Sequence, residues 1–425
     1  MQATEVEPSG IEANPVALNA IMRASEKHLI VASEDIVDAR GFKLWAKGQP
    51  VSASLQQKLL ERRLERPLEA CLSAQDGATL PFLQESLASF LSSPTALAQG
   101  LAPWAGPVQE HMQGLAWHSV VQLLCTTAMA TRTSYIAHAV AAAALMGSMA
   151  LSKKWPAGEV RTAMLAGLLH DIGEVYIQPE YLDLSVPLDL LGYKHLAVHP
   201  RMAQMLLAST TNYSPALCQA VGEHHERLDG SGYPARLLGK QMSELGKMLS
   251  VVEVTLGISR ARSAPMKRTS FALRLIPGEF DLRYASFVCN MAQEANEDLP
   301  QPEGLPRTVR ILHPMERIKE RMDDVAALRG ELVRHKSAAP SMAIVELATA
   351  RLARLQTAWN SLGSWGASAC DLSGEMHFEL DMADRELNQR MRELQRECLL
   401  LAMRLPLNER GLLAPLWREL QVDEV

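Results

Sequence analysis

From about Val108 onward the chain loses its strand signals and repeats apolar residues at helical spacing, with the histidines of interest falling one to a helix or helix end. His138, His170, His199 and the His224-His225 pair stand 32, 29 and 25 residues apart, and Glu253 follows His224 by another 29. Polar side chains spread at helix-length intervals restrict the fold severely. A bundle that folds successive helices back on one another can gather them around one internal cavity. Helices are expected over 108–129, 131–152, 158–171, 195–209, 214–225, 244–258 and 268–276, which makes the protein mostly α.

The organising stretch is Leu168-Leu-His-Asp-Ile-Gly-Glu174, where an adjacent His-Asp pair closes an apolar run. Neutral imidazole and carboxylate form the ligand set for a catalytic Zn, Mn or Fe ion. Adjacent ligands on one turn can serve two neighbouring ions, with the carboxylate between them. Singly, several of these residues have ordinary explanations. His138, in an alanine-rich run, reads as a satisfied core histidine, and His199, before Pro200, as a helix start. The pair His224-His225 is harder to dismiss, because two buried imidazoles need partners. The following Glu226-Arg-Leu-Asp-Gly-Ser-Gly-Tyr-Pro234 is a glycine-rich turn with an aromatic tip, suited to a pocket rim.

Length and charge set the frame. At 425 residues the chain is long enough for two or three domains, and 48% hydrophobic with 21% charged residues is ordinary globular composition. A net charge of −6 argues against a general nucleic-acid binder. The six cysteines show no Cys-x-x-Cys spacing and read as reduced core thiols of a cytoplasmic protein. The apolar run 139–151 is too short to span a bilayer, so no membrane span is expected. Residues 1–20 read as a disordered lead-in, 21–75 as a small α+β N-terminal module, and 76–107 as linker and short helices. The helical domain is expected over 108–295 and a further helical region over 305–425. In that last region Leu380, Leu387, Leu394 and Leu401 repeat every seven residues, a coiled-coil-like seam. It fits either an intramolecular helical hairpin or a homodimer contact.

Leu168-Leu-His-Asp-Ile-Gly173, together with His224-His-Glu-Arg-Leu-Asp-Gly-Ser-Gly-Tyr-Pro234, resembles the HD-GYP family of HD-domain metal-dependent phosphohydrolases. The resemblance runs from roughly residue 130 to 290 and meets every fixed position of the His-His-Glu-x-x-Asp-Gly-x-Gly-Tyr-Pro signature. It implies an all-helical HD-domain bundle and hydrolysis of cyclic di-GMP to linear pGpG or GMP by Fe or Mn ions. It further implies His138, His170, Asp171, His199, His224, His225 and Glu253 as metal ligands, with Asp171 bridging. His170 and Asp171 would be the catalytic pair, and Tyr233 and Arg262 would face substrate. Family members can also bind diguanylate cyclases (GGDEF proteins) through the GYP turn.

Several positions depart from the family pattern. A lysine expected to contact phosphate is Glu174, and the last ligand, usually aspartate, is Glu253. At ~6 Å and an effective dielectric of ~20, one charge pair is worth roughly 3 kcal/mol, so a repulsive Glu174 would weaken phosphate binding and Glu174→Lys should speed turnover. A carboxylate four residues before the first histidine would support a third ion; Ser134 stands there, so two divalent ions are expected. These departures leave two alternatives open. One is a catalytically weak HD-GYP-like domain acting as a regulatory or scaffold protein in cyclic di-GMP signalling. The other is an HD hydrolase for a different phosphate substrate.

Overall fold

The computed structural model describes residues 10–183, 188–261, 263–298, 307–335, 339–362 and 374–417. The chain divides into two compact units, one of residues 1–187 with 192–257 and the other of 188–191 with 258–425. That division comes earlier than the expected domain end near 295.

The first unit opens on helix α1 (Pro15–Ser25), where the Asn14 side chain accepts the Val16 and Ala17 backbone N–H groups. An asparagine cap followed by proline at the first helical position is a strong start signal. It places ordered helix inside the stretch expected to be a disordered lead-in. Short strands follow: β1 (Ile30–Ala32), β2 (Ile36–Val37) and β3 (Lys43–Trp45), then α2 (Ala53–Leu60) and β4 (Leu72–Ala74). β1 pairs antiparallel with β4, and β2 with β3. α1 and these strands share an apolar core of Leu18, Ile21, Ile30, Ile36, Leu55, Leu59 and Leu72. Leu123, from a later helix, packs into the same core.

The helical part runs α3 (Leu80–Leu91), α4 (Ala96–Leu101), α5 (Ala105–Gln113), α6 (Ser119–Thr131), α7 (Tyr135–Ser152) and α8 (Ala157–Leu169). It continues through α9 (Leu190–Leu196), α10 (His199–Thr210), α11 (Pro215–Glu223) and α12 (Glu244–Ser259). The single helix expected over 108–129 is two helices. Gly114 closes α5, and His118 caps α6 by accepting the Val120 N–H on Nδ1. α7 is long and apolar enough to cross a membrane, but 78% of it is buried in the protein's own core. Its alanine face is what allows close helix packing. Gly167 of α8 lies so near the Ala142 backbone that a Cβ there would sit 2.8 Å from it. The four-residue connection between α7 and α8 makes the pair antiparallel, so the start of α7 meets the end of α8.

The second unit holds α13 (Pro265–Leu275), α14 (Leu282–Glu294), α15 (Arg307–Arg334), α16 (Ala339–Asn360), α17 (Gly374–Ala402) and α18 (Leu407–Leu412). Leu380, Leu387, Leu394, Met391 and Cys398 of α17 are buried with Val325, Leu328, Leu352, Leu355 and Trp359. The heptad seam is thus used within one chain. A buried ion pair crosses this core, with Arg390 Nε 2.9 Å from Glu279 Oε1. The five cysteines within the described residues are free and buried; Cys370 lies outside them.

Candidate metal centre

Helix ends build the site. The last four carbonyls of an α-helix lack partners inside the helix, and a side chain just past the end can satisfy one. His170 follows α8 and its Nδ1 lies 2.8 Å from the Gly167 carbonyl. His199 follows α9 with Nδ1 2.7 Å from the Leu196 carbonyl, and His224 follows α11 with Nδ1 2.6 Å from the Val221 carbonyl. A carbonyl only accepts, so each Nδ1 carries the hydrogen and each Nε2 presents a lone pair inward. His138 enters from the first turn of α7, its Nε2 3.0 Å from His170 Nε2.

These lone pairs converge on Asp171. Its Oδ2 lies 3.3 Å from His138 Nε2, and its Oδ1 lies 3.6 Å from both His199 Nε2 and His224 Nε2. Two sets of inward atoms result, each within 4.8 Å of one another: His138, His170, Asp171 and Glu253 form one, and Asp171, His199, His224 and His225 the other. Asp171 is common to both. Glu253, on α12, reaches the first set despite its extra methylene, with Oε2 3.3 Å from His170 Nε2 and 3.7 Å from His138 Nε2. The structure therefore brings together all seven residues that the sequence marks as ligands.

The donor set fits divalent ions on chemical grounds. His199 Nε2 and His224 Nε2 are 3.0 Å apart, yet both Nδ1 hydrogens are committed to carbonyls. Two lone pairs held at that distance in a dry interior repel unless a cation lies between or beside them. Glu253 Oε2 is likewise buried without a well-aligned hydrogen-bond donor.

Electrostatics separates the two sets. Burial holds the His224 pKa far below the ordinary value, with the His225 and His199 rings adding to the effect, and burial takes His225 down to about 3. His199 is also lowered, by burial, against the pull of Asp171. On the other side burial opposes charge on His138, but Asp171 and Glu253 outweigh it and lift the ring to about 9. His170 moves the same way, with Asp171 overcoming burial. Glu253 and Asp171 are buried, which favours the neutral acid, but the facing imidazoles keep both carboxyls well below the usual range.

Glu174 does not stand alone as a repulsive charge. Its Oε2 lies 2.5 Å from Arg132 Nη1, and Arg132 Nη2 lies 3.1 Å from Asp171 Oδ2. Burial and the Asp171 charge push the Glu174 carboxyl up to about 8, with Arg132 holding against them. The reason to expect Glu174→Lys to speed turnover is thereby removed, since a lysine there would face the Arg132 guanidinium. Arg132 was not legible in the sequence: six residues before His138, it looks like any basic residue at a helix end.

The signature turn is held by its acids. Glu226 is fully buried and its carboxylate accepts the backbone N–H groups of Ala235, Arg236 and Leu237 at 2.6, 3.1 and 2.9 Å. Asp229 accepts from the Ser231 N–H and hydroxyl. Gly232 passes so close to the backbone of residues 225–227 that a side chain would clash, and Tyr233 N–H donates to the His225 carbonyl. The Tyr233 ring stacks on His225, centroids 4.5 Å apart, and so braces that imidazole. Arg262 lies outside the described residues, and in the second unit Lys267 and Arg268 are bonded to Glu297 and Ser263.

Residues 122–274 match the family described as HD domain. A cyclic di-GMP phosphodiesterase of Pseudomonas aeruginosa is 36% identical over 117 residues, 28% of each chain. A 3'3'-cGAMP-specific phosphodiesterase of Vibrio cholerae is 33% identical over 98 residues, 23% of this chain and 22% of its own. A cyclic di-GMP phosphodiesterase response regulator of Xanthomonas campestris pv. campestris is 30% identical over 138 residues, 32% of this chain and 34% of its own. Residues 122–274 thus carry an HD domain, and the signature within it resembles that of the HD-GYP branch. The similarity spans only about a quarter to a third of those relatives' lengths. No solved structure matches. The HD-GYP signature thus coincides with the two ligand sets, and its turn supplies His224, His225 and the tyrosine behind them.

Proposed function

We propose that this HD-GYP domain is a metal-dependent phosphodiesterase that opens cyclic di-GMP to linear pGpG. The observation that carries the reading is Asp171, one oxygen toward His138 and the other toward His199 and His224. A carboxylate shared by two ligand sets suits a pair of ions, and Fe or Mn matches a mixed imidazole and carboxylate donor set. Bound there, such ions would lower the pKa of a water and offset charge building on the phosphoryl oxygens. Water adds to phosphorus and the ribose ester oxygen leaves, so no Ser or Cys nucleophile is required.

The chain's own residues do the holding and orienting. His170, His199 and His224 are locked as Nδ1–H tautomers by helix-end carbonyls, so they enter the site with their Nε2 lone pairs ready. Tyr233 keeps His225 in place, and Glu174 fixes Arg132 beside Asp171. Arg262 is proposed as a phosphate contact. The GYP turn is proposed as a docking point for GGDEF cyclases.

The test is anaerobic purification, metal analysis and product chromatography. Two Fe or Mn per chain with conversion of cyclic di-GMP to pGpG is expected, and His170→Ala should abolish the conversion. A chain that binds metal yet leaves cyclic di-GMP intact would contradict the reading. Turnover of other nucleotides alone would point to a different phosphate substrate.

A further inference from the structure

A cavity of about 390 Å³ in the first unit is lined by Arg132, which bonds Asp171, and by residues of α1. Val16, Asn19 and Arg23 of α1 line one side, and Arg132, Glu174 and Gln178 the other. Nothing in the sequence of the N-terminal module looks catalytic, so this wall is visible only in the fold. α1 reaches the site by packing against α6 and the 3-10 turn Ile172–Tyr176 that carries Glu174.

The volume lies in the range of small-molecule sites, about 300–1,000 Å³. Its lining mixes amides, charges and aliphatic groups, as a base and a phosphate on one ligand require. The cavity's cations are not equivalent. Arg132 already carries two carboxylates, Asp171 and Glu174, whereas the Arg23 side chain makes no ion pair or hydrogen bond among the described residues. Arg23 thus has charge to spare for an anion, and Arg132 links the cavity to Asp171 of the ligand sets.

We propose that this cavity holds the nucleotide half of a cyclic dinucleotide remote from the scissile phosphate, with Arg23 contacting the second phosphate. The N-terminal module is then a wall of the substrate site and sets substrate size. For its ligand class the proposal rests on the phosphodiesterase reading; for its location it rests on the cavity alone. A mononucleotide diester too small to span from the ions to α1 gains nothing from Arg23.

The experiment compares the full chain with Arg23→Gln and Val16→Phe, the second of which fills the cavity. Kinetics are measured on cyclic di-GMP and on bis(4-nitrophenyl) phosphate. Calorimetry on metal-depleted full chain measures cyclic di-GMP binding apart from turnover. Loss of one charge-assisted contact is expected to raise KM for cyclic di-GMP roughly tenfold with kcat unchanged. Metal content and bis(4-nitrophenyl) phosphate hydrolysis should be unchanged in both variants, and binding should weaken to match. Equal cyclic di-GMP constants in all three proteins would overturn the subsite and leave the phosphodiesterase reading standing. Binding that both variants weaken, in a wild type that never turns the ligand over, would keep the subsite and remove the phosphodiesterase reading. A wild type that neither binds nor hydrolyses cyclic di-GMP would end both.

Discussion

The two halves of the ligand cluster share Asp171 but are electrostatic opposites. His199, His224 and His225 sit where burial and neighbouring rings keep imidazoles neutral. His138 faces Asp171 and Glu253, which hold a proton on it, and the same carboxylates shift His170 upward. One half can take an ion without releasing a proton, and the other must give one up. The difference comes from where the second carboxylate stands: α12 brings Glu253 within 3.7 Å of His138 and His170.

Removing the shared group should do the most damage. Asp171→Asn takes a charge from both halves, and loss of both ions is expected, with turnover falling well beyond the roughly 10–100-fold cost of losing an outer hydrogen-bond partner to a ligand. Metal analysis alongside activity reads this. A variant that keeps two ions would mean the halves do not depend on a common carboxylate. Next come His224→Ala and His138→Ala, each expected to lose about one ion per chain from its own half. Equal loss of both ions in each would show that the halves fill as one.

Glu174→Lys sharpens the carboxylate-rich side. Breaking a largely buried ion pair and placing a cation against Arg132 is expected to cost about 3 kcal/mol, read as a lower unfolding midpoint of the metal-free protein. Unchanged stability with faster turnover would restore the simple electrostatic view of this position.

The pH dependence should also differ between the halves. His138 has its pKa raised to about 9, so its proton favours the metal-free fold below its ordinary value near 6.5. That contribution is lost as pH rises through about 9. An ion must displace the same proton, so affinity at that half should climb by up to about tenfold per pH unit across this window. The imidazole half, already neutral there, should bind with little change. Mn titrations at pH 6.5 and 8.5 check this, and two parallel pH responses would contradict it. Smallest is Glu226→Gln, which weakens three backbone contacts of the signature turn by about 1.5–3 kcal/mol while leaving the ligands in place.

What the sequence reveals follows the range of the interaction. His138, His170, Asp171, His199, His224, His225 and Glu253 were legible because a local motif and helix-length spacing mark them, and helix packing then brings them together. Helices α7, α8, α10 and α11 were legible from apolar period, although Gly114 splits a helix that the period alone joins. Arg132 and the α1 wall were not legible. Their significance depends on which side chains meet across the fold, and no period or motif encodes that a surface-like arginine ends beside Asp171. Asn14 and Pro15 did carry a helix-start signal, outweighed by the polar, acidic residues that precede them.

The most direct test of the shared carboxylate is a metal count on wild type and Asp171→Asn, both stripped and reloaded with Mn without oxygen. Two ions per wild-type chain and fewer than one in the variant is the expected result. A single ion in wild type, or an undiminished count in the variant, would contradict a site built around one carboxylate between two ligand sets.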